Sequence, residues 1–214
     1  MKDSIKKIVF CGTSISKREV ETISSDWEIH PPIIRSNLPS IAVGKPGLVL
    51  IIDGYFFNQE AVSLMEIRNA LNRGWTVVGT SSMGALRAVE CAPLGMIGSG
   101  IIYRWVKRFQ VEDDDEVAQA VHTDDGTPLS MAMVDIRYCV SRLRRKNLLL
   151  GSQGKVIIDC LKSKFFPDRT VELFKSLLPS HCQQSPEIEI SIKNIDARNA
   201  LIFCDKIIYQ ESVR

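Results

Sequence analysis

Two neighbouring serines in the stretch Thr80-Ser81-Ser82-Met83-Gly84 are the side chains of this sequence best suited to attack a carbonyl carbon. Thr80 lies two residues before Ser82 and Gly84 two after it. That is a looser form of the G-x-S-x-G elbow, in which a strand reverses into a helix and lifts a hydroxyl above the sheet. On such a turn Ser82 is the nucleophile. The N–H of Met83 and the free N–H groups of the first helical turn, around Gly84, face the point where an oxyanion would form. The same residues also fit a plain helix start, in which Ser81 or Ser82 only caps the first N–H groups. Both readings stand at this point.

A serine needs a partner to take its proton, and three candidates have the right chemistry. Asp53 ends an apolar run, Leu48 to Ile52, and begins a polar stretch with Gly54 and Tyr55. Glu66 sits on the helical segment that follows and is equally suited to pair with Arg87 or Arg68. His122 is the third, one of three histidines in the chain. Gly12 and Thr13 form a second strand-to-helix turn with N–H groups open to an anion. The run Glu112-Asp113-Asp114-Asp115-Glu116 has the charge to hold a hard cation, or to complement the dipole of a following helix. No metal site is expected, because no second carboxylate cluster at ligand spacing accompanies the run.

These groups need a scaffold. The run Leu48-Val49-Leu50-Ile51-Ile52 reads as a strand buried on both faces, and Trp75 to Gly79 as a second. Between them Glu60 to Arg73 has helical spacing and stops at Gly74. Strand, helix, strand makes a parallel βαβ unit, so Asp53 to Tyr55 and Thr80 to Gly84 share the carboxyl edge where open sheets bind ligands. Ile8 to Gly12 is a further strand and leads into a helix from Lys17 to Ser24, with Ser16 and Glu19 in capping-box spacing. Helical stretches are expected at Ile101–Phe109, Val117–Val121, Pro128–Asn147, Lys155–Phe166 and Arg169–Leu178. The alternation Ile188-Glu189-Ile190-Ser191-Ile192 reads as a half-exposed strand paired with Ala200 to Tyr209. The expected fold is α/β, a mostly parallel sheet flanked by helices in a Rossmann-like three-layer arrangement. A core over residues 1–147 carries a smaller mixed appendage of helix and strand over 148–214.

Composition narrows the function. The 214 residues carry a formal charge of +2, which gives no electrostatic case for nucleic acid. No apolar run approaches a membrane span. Six scattered cysteines without a C-x-x-C pair point to reduced thiols and a cytoplasmic protein. Neither G-x-x-x-x-G-K-[ST] nor G-x-G-x-x-G follows a strand, so no nucleotide or other cofactor is expected.

Three stretches in order carry a resemblance. They are Ile52-Asp53-Gly54-Tyr55-Phe56, then Ser81-Ser82-Met83-Gly84-Ala85-Leu86-Arg87-Ala88, then Glu112 to Ala118, extended by Pro128-Leu129-Ser130, Ala132-Met133-Val134 and Arg137. Together they resemble the TfuA-like core domain over roughly Val9 to Arg137. The resemblance implies a partner of YcaO-type ATP-dependent enzymes, which exchange a peptide backbone oxygen for sulfur. It also implies hydrolysis of the C-terminal thiocarboxylate of a ubiquitin-like sulfur carrier, with the precursor peptide as a further partner. The residues expected to face substrate are Gly12, Thr13, Gly54, Tyr55, Met83, Gly84 and Arg87. One triplet departs from the family pattern: Leu64, Met65 and Glu66 stand where the family carries His-Lys-Glu, so only the acid is kept. The alternative the departure favours is a non-catalytic adaptor that improves the grip of a YcaO-type enzyme on its peptide.

Overall fold

A computed structural model describes residues 5–56, 60–111, 113–122 and 126–212. By internal contacts the chain forms two compact units, Met1–Glu112 with Lys193–Arg214, and Asp113–Ile192. The sequence reading placed a boundary after 147. The first unit instead takes back the end of the chain.

In the first unit the strands are β1 (Lys7–Phe10), β2 (Glu28–His30), β3 (Leu48–Ile51), β4 (Thr76–Gly79) and β5 (Ile97–Gly98). The helices are α1 (Lys17–Ile23), α2 (Asn37–Ile41), α3 (Leu64–Asn72), α4 (Met83–Glu90) and α5 (Gly100–Lys107), joined by the C-terminal helix described below. All strand pairs are parallel and run in the order β2-β1-β3-β4-β5. Alternate residues of each strand feed opposite faces, which is why the runs are continuously apolar. Ile8, Phe10, Val49, Ile51 and Val77 pack with Leu38, Ile67, Ala70 and Ala88 from α2, α3 and α4. Val9, Leu48, Leu50 and Val78 pack on the other side with Val20 of α1 and with Ala197, Ala200, Leu201 and Cys204. Helix, sheet, helix is the expected three-layer α/β fold. The order reverses direction between β1 and β3, so the crevice beyond their carboxyl ends is the topological switch point.

The second unit is built on α6 (Met133–Arg145), α7 (Gly151–Lys162) and α8 (Val171–Leu177), whose apolar faces meet around Ile136, Val140, Ile157, Leu161 and Phe174. The final helix, α9 (Ile192–Ser212), belongs to the first unit from Lys193 onward.

Several local expectations are corrected. The strand expected at Ile188–Ile192 is absent: Pro186–Glu189 is a single 3-10 turn opened by Ser185 and Pro186, and α9 starts at Ile192. Ala200 to Tyr209 is helical, so the C-terminal part of the chain contains no strand among its described residues. Its buried positions, Ala197, Ala200, Leu201 and Cys204, follow the helical i, i+3, i+4, i+7 spacing against the sheet. Val117–Val121 is not a helix. It follows a short 3-10 turn, Asp114–Glu116, and ends in an isolated bridge between Val121 and Pro128. That bridge delays α6 to Met133. Strand β5, which the sequence reading did not include, is two residues long. Among the described residues no helix is long and apolar enough to cross a membrane, and all six cysteines are free.

Candidate functional site

The site lies in the first unit, where β1, β3 and β4 end. After β1 the chain turns through Gly12, Thr13 and Ser14. After β3 it delivers Asp53, 2% exposed, into that turn. One carboxylate oxygen of Asp53 accepts the Gly12 N–H (2.8 Å) and the Ser14 N–H (3.0 Å). The other accepts the Thr13 hydroxyl (3.1 Å) and the Ser14 hydroxyl (2.6 Å). The anion expected at the Gly12–Thr13 turn is thus supplied by the protein itself. The Gly12 N–H and the Thr13 hydroxyl, both expected to face substrate, are bonded to Asp53. The same charge, after burial as the larger cause, pushes the neighbouring Cys11 thiol up to about 12, so it stays protonated.

The serine turn is sharper than a capped helix start. Ser81 has φ +64°, in the region that non-glycine residues avoid. The Ser82 N–H donates to the Thr80 carbonyl at 2.9 Å, closing a γ-turn with Ser81 at its centre. Positive-φ γ-turns are rare and strained, and such strain collects at functional sites. What holds the turn is backbone packed on backbone. A Cβ on Gly84 would lie 1.8 Å from the Ile51 carbonyl oxygen, and one on Gly79 would lie 2.1 Å from the Gly84 carbonyl oxygen. Helix α4 therefore enters directly against the end of β3, with the Gly84 N–H donating to the Ile52 carbonyl at 3.2 Å.

Neither serine caps α4. The Ser82 side chain makes no capping bond, and its hydroxyl has no hydrogen bond among the described residues. Met83 is buried, and its N–H likewise makes no hydrogen bond among the described residues. Ser81, fully buried, sends its hydroxyl to the Ser14 hydroxyl (2.9 Å) and the Lys193 carbonyl (3.0 Å). Ser81, Ser14 and Asp53 are therefore linked in a row. Helix α9 frames them: the Lys193 ammonium, 1% exposed, donates to the Thr13 hydroxyl at 3.4 Å, and Asn194 donates to the Ser14 carbonyl at 3.0 Å. Asp196 accepts the Ile101 and Ile102 N–H groups (2.9 and 2.7 Å), capping α5.

The other candidates stand elsewhere. Glu66 is the reciprocal half of a capping box with Ser63, accepting its N–H (2.7 Å) and hydroxyl (2.8 Å), and it also accepts the Ser36 N–H at 2.5 Å. Its carboxylate is committed to fixing the start of α3, so the structure gives it a capping role. Arg87 donates to the Val62 carbonyl (3.0 Å) and pairs with Glu90 (2.5 Å), leaving Glu66 unpaired to it. Gly54 forms a bridge with Ile33, and Tyr55 beside it is 47% exposed. His122 belongs to the second unit, where it is exposed and donates its N–H to the Thr127 carbonyl. Glu112 lies outside the described residues. Three carboxylates of the acidic run are answered by bases: Asp113 and Asp115 by Lys162, Asp115 by Arg169, and Glu116 by Arg137 and Lys162. Ion pairing, not helix capping, is what those carboxylates do.

Sequence reasoning missed Ser14 as a link, and Lys193, Asn194 and Asp196 altogether. Lys193 is 112 residues from Ser81, and nothing local marks it. No curated protein matches the chain. The family described as TfuA-like protein matches residues 53–170, which takes in Asp53, the serine turn, the acidic run and Arg169. As that match covers more than half of the 214 residues, the chain belongs to the TfuA-like protein family.

Proposed function

We propose that this protein hydrolyses the C-terminal thiocarboxylate of a ubiquitin-like sulfur carrier and passes the sulfide to a YcaO-type enzyme. The family suggests a role in thioamidation-related biosynthesis, and the serine turn supplies a chemistry for it. The observation that carries the reading is the strained turn itself, with Ser81 at φ +64° above the switch point and the Met83 N–H unspent beside it. A hydroxyl from this turn attacks the thiocarboxylate carbon, the free N–H steadies the oxyanion, and sulfide departs. The sulfur leaves as HS⁻, carrying the proton that the serine gives up, so no separate acid is needed. Water then hydrolyses the acyl-enzyme.

The test is sulfide release from a thiocarboxylated carrier by the native chain and by the double variant Ser81→Ala/Ser82→Ala. Loss of about a hundredfold or more is expected, the scale of removing a nucleophile's contribution. Release at the native rate by a folded double variant refutes the reading. A non-catalytic adaptor remains the second reading. It is favoured by Leu64 (43% exposed) and Met65 (53% exposed), which present apolar surface at the start of α3. It requires that adding this protein tightens the peptide affinity of the YcaO-type enzyme even when both serines are replaced.

A further inference from the structure

We propose that the cleft between the end of α6 and the start of α7, within the second unit, binds an acidic peptide segment that carries an apolar side chain. The inference stands apart from the serine turn, which belongs to the first unit. The cleft has a volume of about 490 Å³, within the range of sites that hold a ligand. Ser141, Arg144, Arg145, Asn147, Leu150 and Gly151 are among the residues that line it.

The charge at this end of α6 is only partly answered. Four bases stand close together there, Arg142, Arg144, Arg145 and Lys146. Arg142 and Lys146 both pair with Glu187, whose side chain is 3% exposed. Arg144 and Arg145 are exposed and pair with no acid among the described residues. The end of a helix favours cations, but Arg142 and Lys146 already serve that field. The two bases that lack an acid are the two that line the cleft. Their planar guanidinium groups match a carboxylate with two parallel hydrogen bonds each, which fits a ligand rich in glutamate or aspartate.

The apolar requirement comes from Leu150, which stands at the N-cap of α7 and is 68% exposed. Leucine offers no acceptor to the first N–H groups of a helix, so the position forgoes what serine or aspartate would give. It also holds a large apolar side chain in water. Neither choice serves the fold, and an apolar side chain of a ligand laid over Leu150 accounts for both. A Cβ on Gly151 would lie 3.3 Å from a terminal nitrogen of Arg144, so that guanidinium rests against the start of α7, next in the chain to Leu150. The Ser141 hydroxyl and the Asn147 side-chain amide make no hydrogen bond among the described residues and are open to a peptide backbone. Charge alone would suit inorganic phosphate. The exposed leucine in the same cleft selects a peptide.

The experiment uses the full chain and the fluorescence anisotropy of a labelled peptide, a central leucine flanked on both sides by glutamates. Saturable binding is expected at about 0.05 M salt, weakening about tenfold or more at about 0.5 M as the ion pairs are screened. Arg144→Glu/Arg145→Glu should weaken it about tenfold or more, and so should glutamine for glutamate in the peptide. Leu150→Ala should weaken it about threefold. The control Arg104→Glu/Arg108→Glu changes the net charge by the same amount on exposed bases of the first unit, and should leave the affinity within about twofold. Absence of saturable binding by the native chain, an equal loss in the control variant, or native affinity in Leu150→Ala overturns the proposal. So does displacement of the peptide by an equal concentration of inorganic phosphate, or tighter binding of an RNA oligomer or of anionic phospholipid vesicles. The substituted side chains are exposed, so the variants are expected to fold; should the cleft variant not, the glutamine peptide against the native chain decides.

Discussion

Replacing Gly84 by alanine sets two physical effects of opposite sign against each other. Gly84 is inside α4, where alanine is favoured over glycine by about 1 kcal/mol on helix propensity and unfolded-state entropy. Its φ is not in the left-handed region, so no backbone strain opposes the change. The opposing effect is contact. The added Cβ would lie 1.8 Å from the Ile51 oxygen and 2.6 Å from the Ile51 carbonyl carbon. Relief to even 3.0 Å takes more than an ångström of separation between α4 and β3, and neither side can yield by a rotamer change because both are backbone. Overpacking of this kind costs about 1–3 kcal/mol or more. The same movement stretches the buried Gly84 N–H bond to Ile52, already 3.2 Å long, for about another 1 kcal/mol. The net expectation is destabilisation by about 2–3 kcal/mol, or a fall in melting temperature of about 5–10 °C for a chain of this size. Urea denaturation followed by circular dichroism measures it. A Gly84→Ala protein as stable as the native chain, or more so, would refute the claim that the turn is held by this approach.

Asp53→Asn keeps the shape but puts an NH₂ group against donors on one side of the carboxylate, so a cost of about 2–5 kcal/mol is expected from the N–H groups left unpaired; a loss under about 1 kcal/mol by the same denaturation measurement would show that the Gly12–Ser14 turn does not depend on it. Glu116 is 4% exposed in its side chain; burial alone would raise its carboxyl, but the hydrogen bonds and charges of Arg137 and Lys162 outweigh that and hold it below its ordinary value. A depressed folded value stabilises above the unfolded value of about 4.3 and is lost as pH falls through the folded one, so Glu116→Gln should cost about 2–3 kcal/mol at pH 7 and progressively less below pH ~4.3. A difference between the two proteins that stays constant from pH 7 to pH 3 would contradict the pairing. Burial pushes the thiols of Cys11 and Cys139 up to about 12 and raises those of Cys91, Cys182 and Cys204, while Cys160 alone is partly exposed. A thiol reagent at pH 8 should therefore modify Cys160 in the native protein and the other five only on unfolding, as peptide mapping would show.

The central βαβ unit was legible because a strand buried on both faces has no polar residue to interrupt it, and Leu48 to Ile51 has none. The tail was misread for a matching reason. Ile188, Ile190 and Ile192 alternate as in a strand, yet Ile188 and Ile192 are also four apart, and Pro186 with Ser185 settles the backbone locally into a 3-10 turn. Strand β5 escaped because two residues carry no period. Within the site, Asp53 and the Gly12–Thr13 turn were each found as local signals, but that one saturates the other is a contact over about 40 residues of chain. The choice between the two serines was illegible in principle. Thr80 and Gly84 flank Ser82 as Gly79 and Met83 flank Ser81, and only the dihedral angle separates the two registers.

The family match begins at Asp53, after β1, β2 and β3 have already been laid down, and ends at Thr170, before α9. Of the groups that touch Ser81 or its partners, it includes Asp53 and excludes Gly12, Thr13, Ser14 and Lys193. A segment cut to the match would keep the strained turn but bury a carboxylate without its four donors, and would leave β4 without the neighbour that Gly84 packs against. The shared stretch is therefore not a unit that can work by itself. The flanking strands and the returning helix bring two amides, two hydroxyls and a carbonyl to the same point. Hydrogen bonds from backbone groups impose no residue type, which is why half of the site leaves so faint a trace in the sequence.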